Sequence, residues 1–240
     1  MNKSFKVLWN KIRAQHVVTD EHKHAHGKGK TKSLLMTQPS ISFLAMGSTL
    51  AMLLAPPFAQ ATTITPGWTN TTVTTVTTAN GSVTDIKTNV STNGTGINKF
   101  EHFDVSARDI ANLHINTNDT RLLNLVKNDV TINGVVNAVQ EVAPTKLAKG
   151  EVMFVTPKGL MVGSTGVINA GSFTAVTTTQ AQFDQYYSKS AEELTAGALT
   201  SAQIDDISKG EIPINPNGVI TINGSINVAN QVMVAAGTVN

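Results

Sequence analysis

Residues 131–138 read TINGVVNA and residues 221–228 read TINGSINV, while GVINA at 166–170 repeats the second half of the same pattern. Each copy has a glycine, a variable or apolar residue, Val or Ile, an asparagine and a small apolar residue. Repetition of this kind predicts stacked, similar coils rather than one globular core. In a parallel β-solenoid each coil turns alternate Val, Ile, Leu and Met inward. Glycine is expected to make the corner, and asparagine to tolerate the left-handed backbone that corners often need. Asparagines at equivalent places are expected to stack into hydrogen-bonded ladders. VMFV (152–155), LMVG (160–163) and FTAVT (173–177) are short apolar runs broken by TPKG and STG, which reads as strands. The spacing is uneven, at 32 residues from Gly134 to Gly166 and 58 from Gly166 to Gly224, so the second interval holds an insertion.

The insertion is legible. Ser190-x-x-Glu193 and Thr200-x-x-Gln203 are capping-box patterns, and Gly210 suits a helix stop. Residues 179–210 are therefore expected to form short helices packed outside the solenoid. Phe183, Tyr186 and Tyr187 either anchor them to its wall or form an exposed aromatic patch. Downstream, Pro216 and Gly218 mark a turn between two strands. Upstream, residues 62–96 are rich in Thr, Asn, Ser and Gly with isolated Val and Ile. SVTDIKTNV (82–90) alternates apolar and polar positions, which predicts short strands, the alternative being a low-complexity linker.

The chain of 240 residues has no cysteine and a net charge of +2, but the charge is split. Residues 1–61 hold eight basic and two acidic residues, leaving ten basic and fourteen acidic residues downstream. The basic balance belongs to the front and gives no reason to expect a nucleic-acid partner. From Ile41 to Phe58 there is no charged residue, and the run closes on Pro56-Pro57 and Ala59-Gln60-Ala61. A basic region, an apolar core and a small-x-small ending predict a secretory signal cut between Ala61 and Thr62. The alternative is a membrane anchor, which the diluting Ser42, Gly47, Ser48 and Thr49 and the two prolines oppose. A cysteine-free chain suits passage across two membranes, where a disulfide formed on the way would be an obstacle.

The front segment MNKSFKVLWN, followed by Val17-Val18, Glu21 and the GKGK run at 27–30, resembles the extended signal peptide region of very large type V secreted proteins. The mature part resembles the secretion domain of filamentous-haemagglutinin-like two-partner exoproteins. INKFEHFDVSARDIANL (97–113), LLNLVKNDVTINGVVNAV (122–139) and VMFVTPKGLMVGSTGVINAGSFTAVT (152–177) carry that resemblance. Thr156-Pro157-Lys158-Gly159 stands where the family writes NPNG; a true NPNG follows at Asn215-Pro216-Asn217-Gly218 and is read as a separate site. The resemblance implies an all-β, right-handed parallel β-helix with an N-terminal cap. Residues 1–61 are then an extended signal peptide (1–30 the extension, 41–61 the apolar core and cleavage site), and 62–240 the secretion domain. It also implies a dedicated outer-membrane transporter as partner, beside signal peptidase and the inner-membrane export machinery. The chain is expected to be secreted or held at the cell surface.

Three functions fit these residues: a non-enzymatic adhesin that binds host or bacterial surfaces, the carrier of a contact-dependent inhibition toxin, and a β-helix enzyme acting on polysaccharide. The enzyme reading needs clustered carboxylates. Asp104, Asp109, Asp119 and Asp129 are spaced by five and ten residues, which does not pair them on one strand face, and His102 and His114 add no catalytic triad order. The expectation is therefore no enzyme activity and no cofactor. The His22/His24/His26 cluster has metal-like spacing but precedes the cleavage site, so no metal is assigned to it. The sequence stops in mid-pattern at VMVAAGTVN with no polar capping coil, as expected of a fragment whose effector part is missing; downstream repeats would favour the adhesin and a distinct globular domain the toxin carrier.

Overall fold

The protein's structure, a computed structural model, describes residues 5–10, 15–20, 61–140, 143–147 and 150–240. Side chains of 5–10, 15–20 and 143–147 are not described, and the apolar run, Ala59 and the histidine cluster lie outside the described residues. The chain divides into two units at Leu53/Leu54. In the first, β1 (Phe5–Asn10) and β2 (Gln15–Asp20) form an antiparallel hairpin, with Val7 opposite Val18.

The second unit is a parallel β-helix. It opens with β3 (Thr63–Pro66), then the hairpin of β4 (Thr71–Thr78) and β5 (Gly81–Thr88), and the short β6 (Ser91–Thr92). The first full coil is β7 (Thr95–Val105) and β8 (Ile110–Ile115). The second is β9 (Arg121–Val126), β10 (Val130–Ile132) and β11 (Val135–Gln140), with β12 (Ala143–Leu147) folded back antiparallel on β11. The third is β13 (Glu151–Thr156), β14 (Leu160–Val162) and β15 (Val167–Ala170). The fourth is β16 (Ser172–Thr177), the helices α1 (Gln180–Tyr187), α2 (Ala191–Thr195) and α3 (Ser201–Lys209), then β17 (Val219–Ile222) and β18 (Ser225–Val228). β19 (Val232–Ala235) and β20 (Thr238–Val239) begin a fifth.

Three parallel columns build the walls. β7, β9, β13, β16 and β19 stack in register, with Asn98 opposite Asn124. β7 is long enough to turn a corner, so its end also starts the column β10, β14, β17 and β20. The third column is β5, β8, β11, β15 and β18, in which Asn112, Asn137, Asn169 and Asn227 face one another. The repeat read in the sequence is this register: TINGVVNA spans β10 and β11, and TINGSINV spans β17 and β18. The 58-residue interval is long because the helices are inserted within a single coil, between β16 and β17.

The interior is filled by one residue in two from each strand, including Leu113, Leu122, Val136, Leu160 and Ile168. Phe100, Phe103, Phe154 and Phe173 run along it, with ring centroids 5.2, 5.0 and 6.3 Å apart. Each such ring contributes roughly 1.5–3 kcal/mol by leaving water. In the first column β9, β13 and β16 are buried on both faces. Ile97, Leu123, Leu125, Met153 and Val155 point outward and are covered by Phe183, Tyr186, Leu194, Ile204 and Ile207 of the helices. Burial on both faces explains why RLLNLV and EVMFVT read as nearly continuous apolar runs. The helices start where expected. Ser190 and Thr200 close complete capping boxes, and Gly210 ends α3 at φ 69°. Phe183 and Tyr186 pack in the cluster that covers Leu123 and Leu125, and the Tyr187 hydroxyl donates to the Phe100 carbonyl oxygen at 3.4 Å, so the aromatic group serves as an anchor.

One expectation is corrected. The repeat glycines do not supply a left-handed corner; among the described residues their φ is not positive, and the left-handed non-glycine positions are Asn93 and Arg108. Their reason is close approach. A Cβ on Gly134 would stand 2.3 Å from the Ser106 carbonyl oxygen, on Gly166 2.2 Å from that of Ile132, and on Gly224 2.3 Å from that of Gly166. The repeat asparagines likewise sit within strands, where they form the expected ladder.

Candidate functional site

The two motif turns meet at one corner. TPKG leads into β14 and NPNG into β17, strands that pair with Leu160 opposite Ile220. Thr156 Oγ1 donates to the Asn128 carbonyl oxygen at 2.8 Å and accepts from the Lys158 amide at 3.1 Å. Asn215 repeats both contacts one coil later: its Nδ2 donates to the Pro157 carbonyl oxygen at 2.8 Å, and its Oδ1 accepts from the Asn217 amide at 3.0 Å. One coil earlier, Asn128 Nδ2 donates to the Glu101 carbonyl oxygen at 2.8 Å. Thr156 thus performs the turn-closing and coil-linking work of an asparagine. The separate site read in the sequence is a separate coil at the same corner. Lys158, Pro216 and Asn217 are exposed at the tips, above a shallow depression bounded by Asp129 and Val219.

The expected cleavage junction lies at the N-terminal edge of the sheet that holds β14 and β17, where β3 adds to β7. Ala61 is exposed, whereas Thr62 is half-buried. Thr62 Oγ1 donates to Asp109 Oδ2 and accepts from the Ser106 amide at 2.9 Å. From Thr63 onward the chain pairs antiparallel with β7, Thr63 opposite Asp104 and Ile64 opposite Phe103.

The four aspartates of the enzyme reading lie in different turns and strands, each with neighbours of its own. Asp104 lies opposite Thr63, and Asp109 holds Thr62 and, through Oδ1, the Ser82 amide at 2.7 Å. Asp119 accepts from Ser91 Oγ at 2.5 Å and Asn116 Nδ2 at 2.9 Å. Asp129 faces Gly159. His102 is exposed and His114 buried. Among the described residues no group of three or more His, Asp or Glu side chains converges as a metal site would require.

Two polar devices were not read in the sequence. The first ends the outer ladder: Asn227, Asn169, Asn137 and Asn112 each donate to the preceding coil, at 2.9, 2.9, 3.1 and 3.1 Å, and the last acceptor is the carboxylate of Asp85. His114 Nε2 lies 3.0 Å from the same oxygen. Burial tends to raise the Asp85 carboxyl, but the hydrogen bonds from His114 and Asn112 prevail and hold it below its ordinary value. The second is Lys99, a buried cation whose ammonium lies 4.1 Å from the ring centre of Trp68 and 5.5 Å from that of Tyr187, and donates to the Lys189 carbonyl oxygen. Burial lowers its pKa from 10.5 to about 8, against the pull of Glu193. Lys99 therefore ties the N-terminal segment, the wall and the helices together. The outward-facing Asp85 in an alternating strand was the only local hint of either.

Residues 1–51 match the family model described as the extended signal peptide of the type V secretion system. The chain carries a type V export signal. It is exported through the periplasm and outer membrane to the cell surface or the medium, a route that uses secretion machinery and an outer-membrane transporter. No curated protein matches the chain. Among the described residues no helix is long and apolar enough to cross a membrane.

Proposed function

We propose that residues 62–240 are the secretion domain of a two-partner exoprotein of the filamentous haemagglutinin type, whose transporter is a separate outer-membrane barrel. The observation that carries this is the pairing of a type V signal with a parallel β-helix that starts at a capped N-terminal end. A solenoid suits vectorial export, because each emerging coil folds on the one before it without waiting for distant sequence. The stacked TPKG and NPNG turns offer the transporter a rigid corner with exposed tips. The effector role is adhesion to a host or bacterial surface, without catalysis; Asp109 and Asp119 are engaged in hydrogen bonds that hold turns, which supports a structural role for them.

The test is expression of the full chain in a two-membrane bacterium, with and without the transporter encoded beside it. Transporter-dependent appearance of folded, protease-resistant chain outside the cell is the expected result. Retention in the cell in both cases overturns the two-partner reading.

A further inference from the structure

The expected cleavage junction abuts a carboxylate that the folded cap holds in place. Asp109 sits in the turn Ser106–Asp109, closed by its own amide on the Ser106 carbonyl oxygen at 3.0 Å and by its carbonyl oxygen on the Val135 amide at 2.9 Å. The turn is wedged between two glycines. A Cβ on Gly134 would meet the Asp109 carbonyl oxygen at 2.4 Å, and one on Gly81, at φ 128°, would meet that of Arg108 at 2.4 Å. Arg108 itself is left-handed at φ 76°. One carboxylate oxygen takes the Ser82 amide and the other takes the Thr62 hydroxyl. The side chain is therefore positioned before processing, and it is aimed at residue 62.

We infer that Asp109 is the docking site for the new N-terminus that processing creates, pairing with the α-ammonium of Thr62 and locking β3 onto the first coil. The inference rests on cleavage after Ala61. Hydrolysis of the Ala61–Thr62 peptide bond consumes one water. Its hydroxyl goes to the Ala61 carbonyl, which leaves with the signal as a carboxylate, and the Thr62 nitrogen takes up protons to become an ammonium. An α-amino group with a pKa of about 7.7–8.0 is mostly charged at neutral pH. Three bonds separate that nitrogen from Thr62 Oγ1, so the new charge arises within a few ångströms of the Asp109 carboxylate. Before cleavage the same nitrogen is a neutral amide. Processing thus adds an ammonium beside the carboxylate to which the Thr62 hydroxyl already donates, so that an ion pair joins that hydrogen bond. Arg108 and Asp104, the neighbouring charged residues in the turn and opposite Thr63, are present in both forms.

The device gives maturation a direction. The unprocessed junction gains less from docking, which leaves the first coil looser while the signal is attached; the processed chain gains an anchor at the end where the solenoid starts.

The test uses the full chain, expressed in a two-membrane bacterium and purified after processing, with its N-terminus read by mass spectrometry. Asp109→Asn keeps an oxygen for the Ser82 amide and removes the charge. It is compared in the native sequence and in a chain with Gly-Ser inserted between Ala61 and Thr62, which moves the ammonium away. The expected result is a start at Thr62 and an Asp109→Asn penalty about fivefold larger in the unfolding constant for the native start, or about 1 kcal/mol. Equal penalties in the two backgrounds overturn the proposal while leaving the cleavage site intact. A start elsewhere than Thr62 refutes the cleavage reading and the docking with it. If Asp109→Asn is not recovered folded, the stability gap between native and inserted chains is followed against NaCl. A gap that closes with salt supports the pair, and one that is absent or insensitive to salt overturns it.

Discussion

Asn124 is the residue whose replacement tests the solenoid interior most directly. It is fully buried, on the strand face that Leu122 and Val126 share. It belongs to a polar relay that crosses the first two coils. Trp68 Nε1 donates to Thr71 Oγ1 at 2.6 Å, Thr71 Oγ1 to Asn98 Oδ1 at 3.1 Å, Asn98 Nδ2 to Asn124 Oδ1 at 3.1 Å, and Asn124 Nδ2 to the Met153 carbonyl oxygen at 3.1 Å. Asn124→Ala removes the last two bonds and strands the Asn98 amide where no water reaches it. An orphaned buried donor costs about 1–3 kcal/mol, and the second lost bond adds about 0.5–1.5 kcal/mol, so the loss should be roughly 2–4 kcal/mol. Asn227→Ala is the control. It removes the single bond to Asn169 at an exposed ladder end and should cost less than about 0.5 kcal/mol. Because Asn98 and Asn124 are bonded to each other, Asn98→Ala and Asn124→Ala should cost less together than the sum of the two. Urea unfolding of the processed protein, followed by intrinsic fluorescence and far-ultraviolet circular dichroism, measures all four. If Asn124→Ala is as well tolerated as Asn227→Ala, the relay contributes nothing and the reasoning fails.

Gly166→Ala should lose about 1–3 kcal/mol, because its Cβ would stand 2.2 Å from a backbone oxygen that cannot move aside; thermal unfolding reads this, and a neutral result would show that the coils can spread. Thr156→Val should lose about 1–2 kcal/mol with its two turn bonds, whereas Thr156→Asn, which imitates Asn215, should keep more of that stability; paired melting curves decide, and equal losses would deny that the two turns are equivalent. Between pH 8 and 10.5 the unfolded chain holds the Lys99 proton that the folded chain has released, so the unfolded state binds more protons there and stability rises with pH. Lys99→Met should flatten that rise in a stability profile from pH 7 to 11, and an unchanged slope would show that Lys99 is not the group responsible.

Much of the architecture was readable because it is written locally or by repetition. Capping boxes at Ser190 and Thr200 act over four residues, so α2 and α3 were visible without any tertiary knowledge. The repeated TING element marks the register because every coil faces the same steric demand from the coil before it. The export signal is likewise a local pattern of charge, apolarity and small residues. What decided the rest was the stacking of coils of unequal length. Arg121 pairs with Glu151, yet Glu151 pairs with Ser172, and Leu160 pairs with Ile220 across an inserted helical segment. No fixed period predicts that TPKG and NPNG share a corner, that Asp85 terminates an asparagine ladder, or that Lys99 lies against Trp68 and Tyr187. The glycine positions were legible but their cause was not, since a close approach between backbones exists only once the coils are stacked. The sequence by itself determined that this chain coils and where it is sent. Only the tertiary structure decided which polar groups are buried and what they face, because those contacts join residues separated by a whole turn of the solenoid.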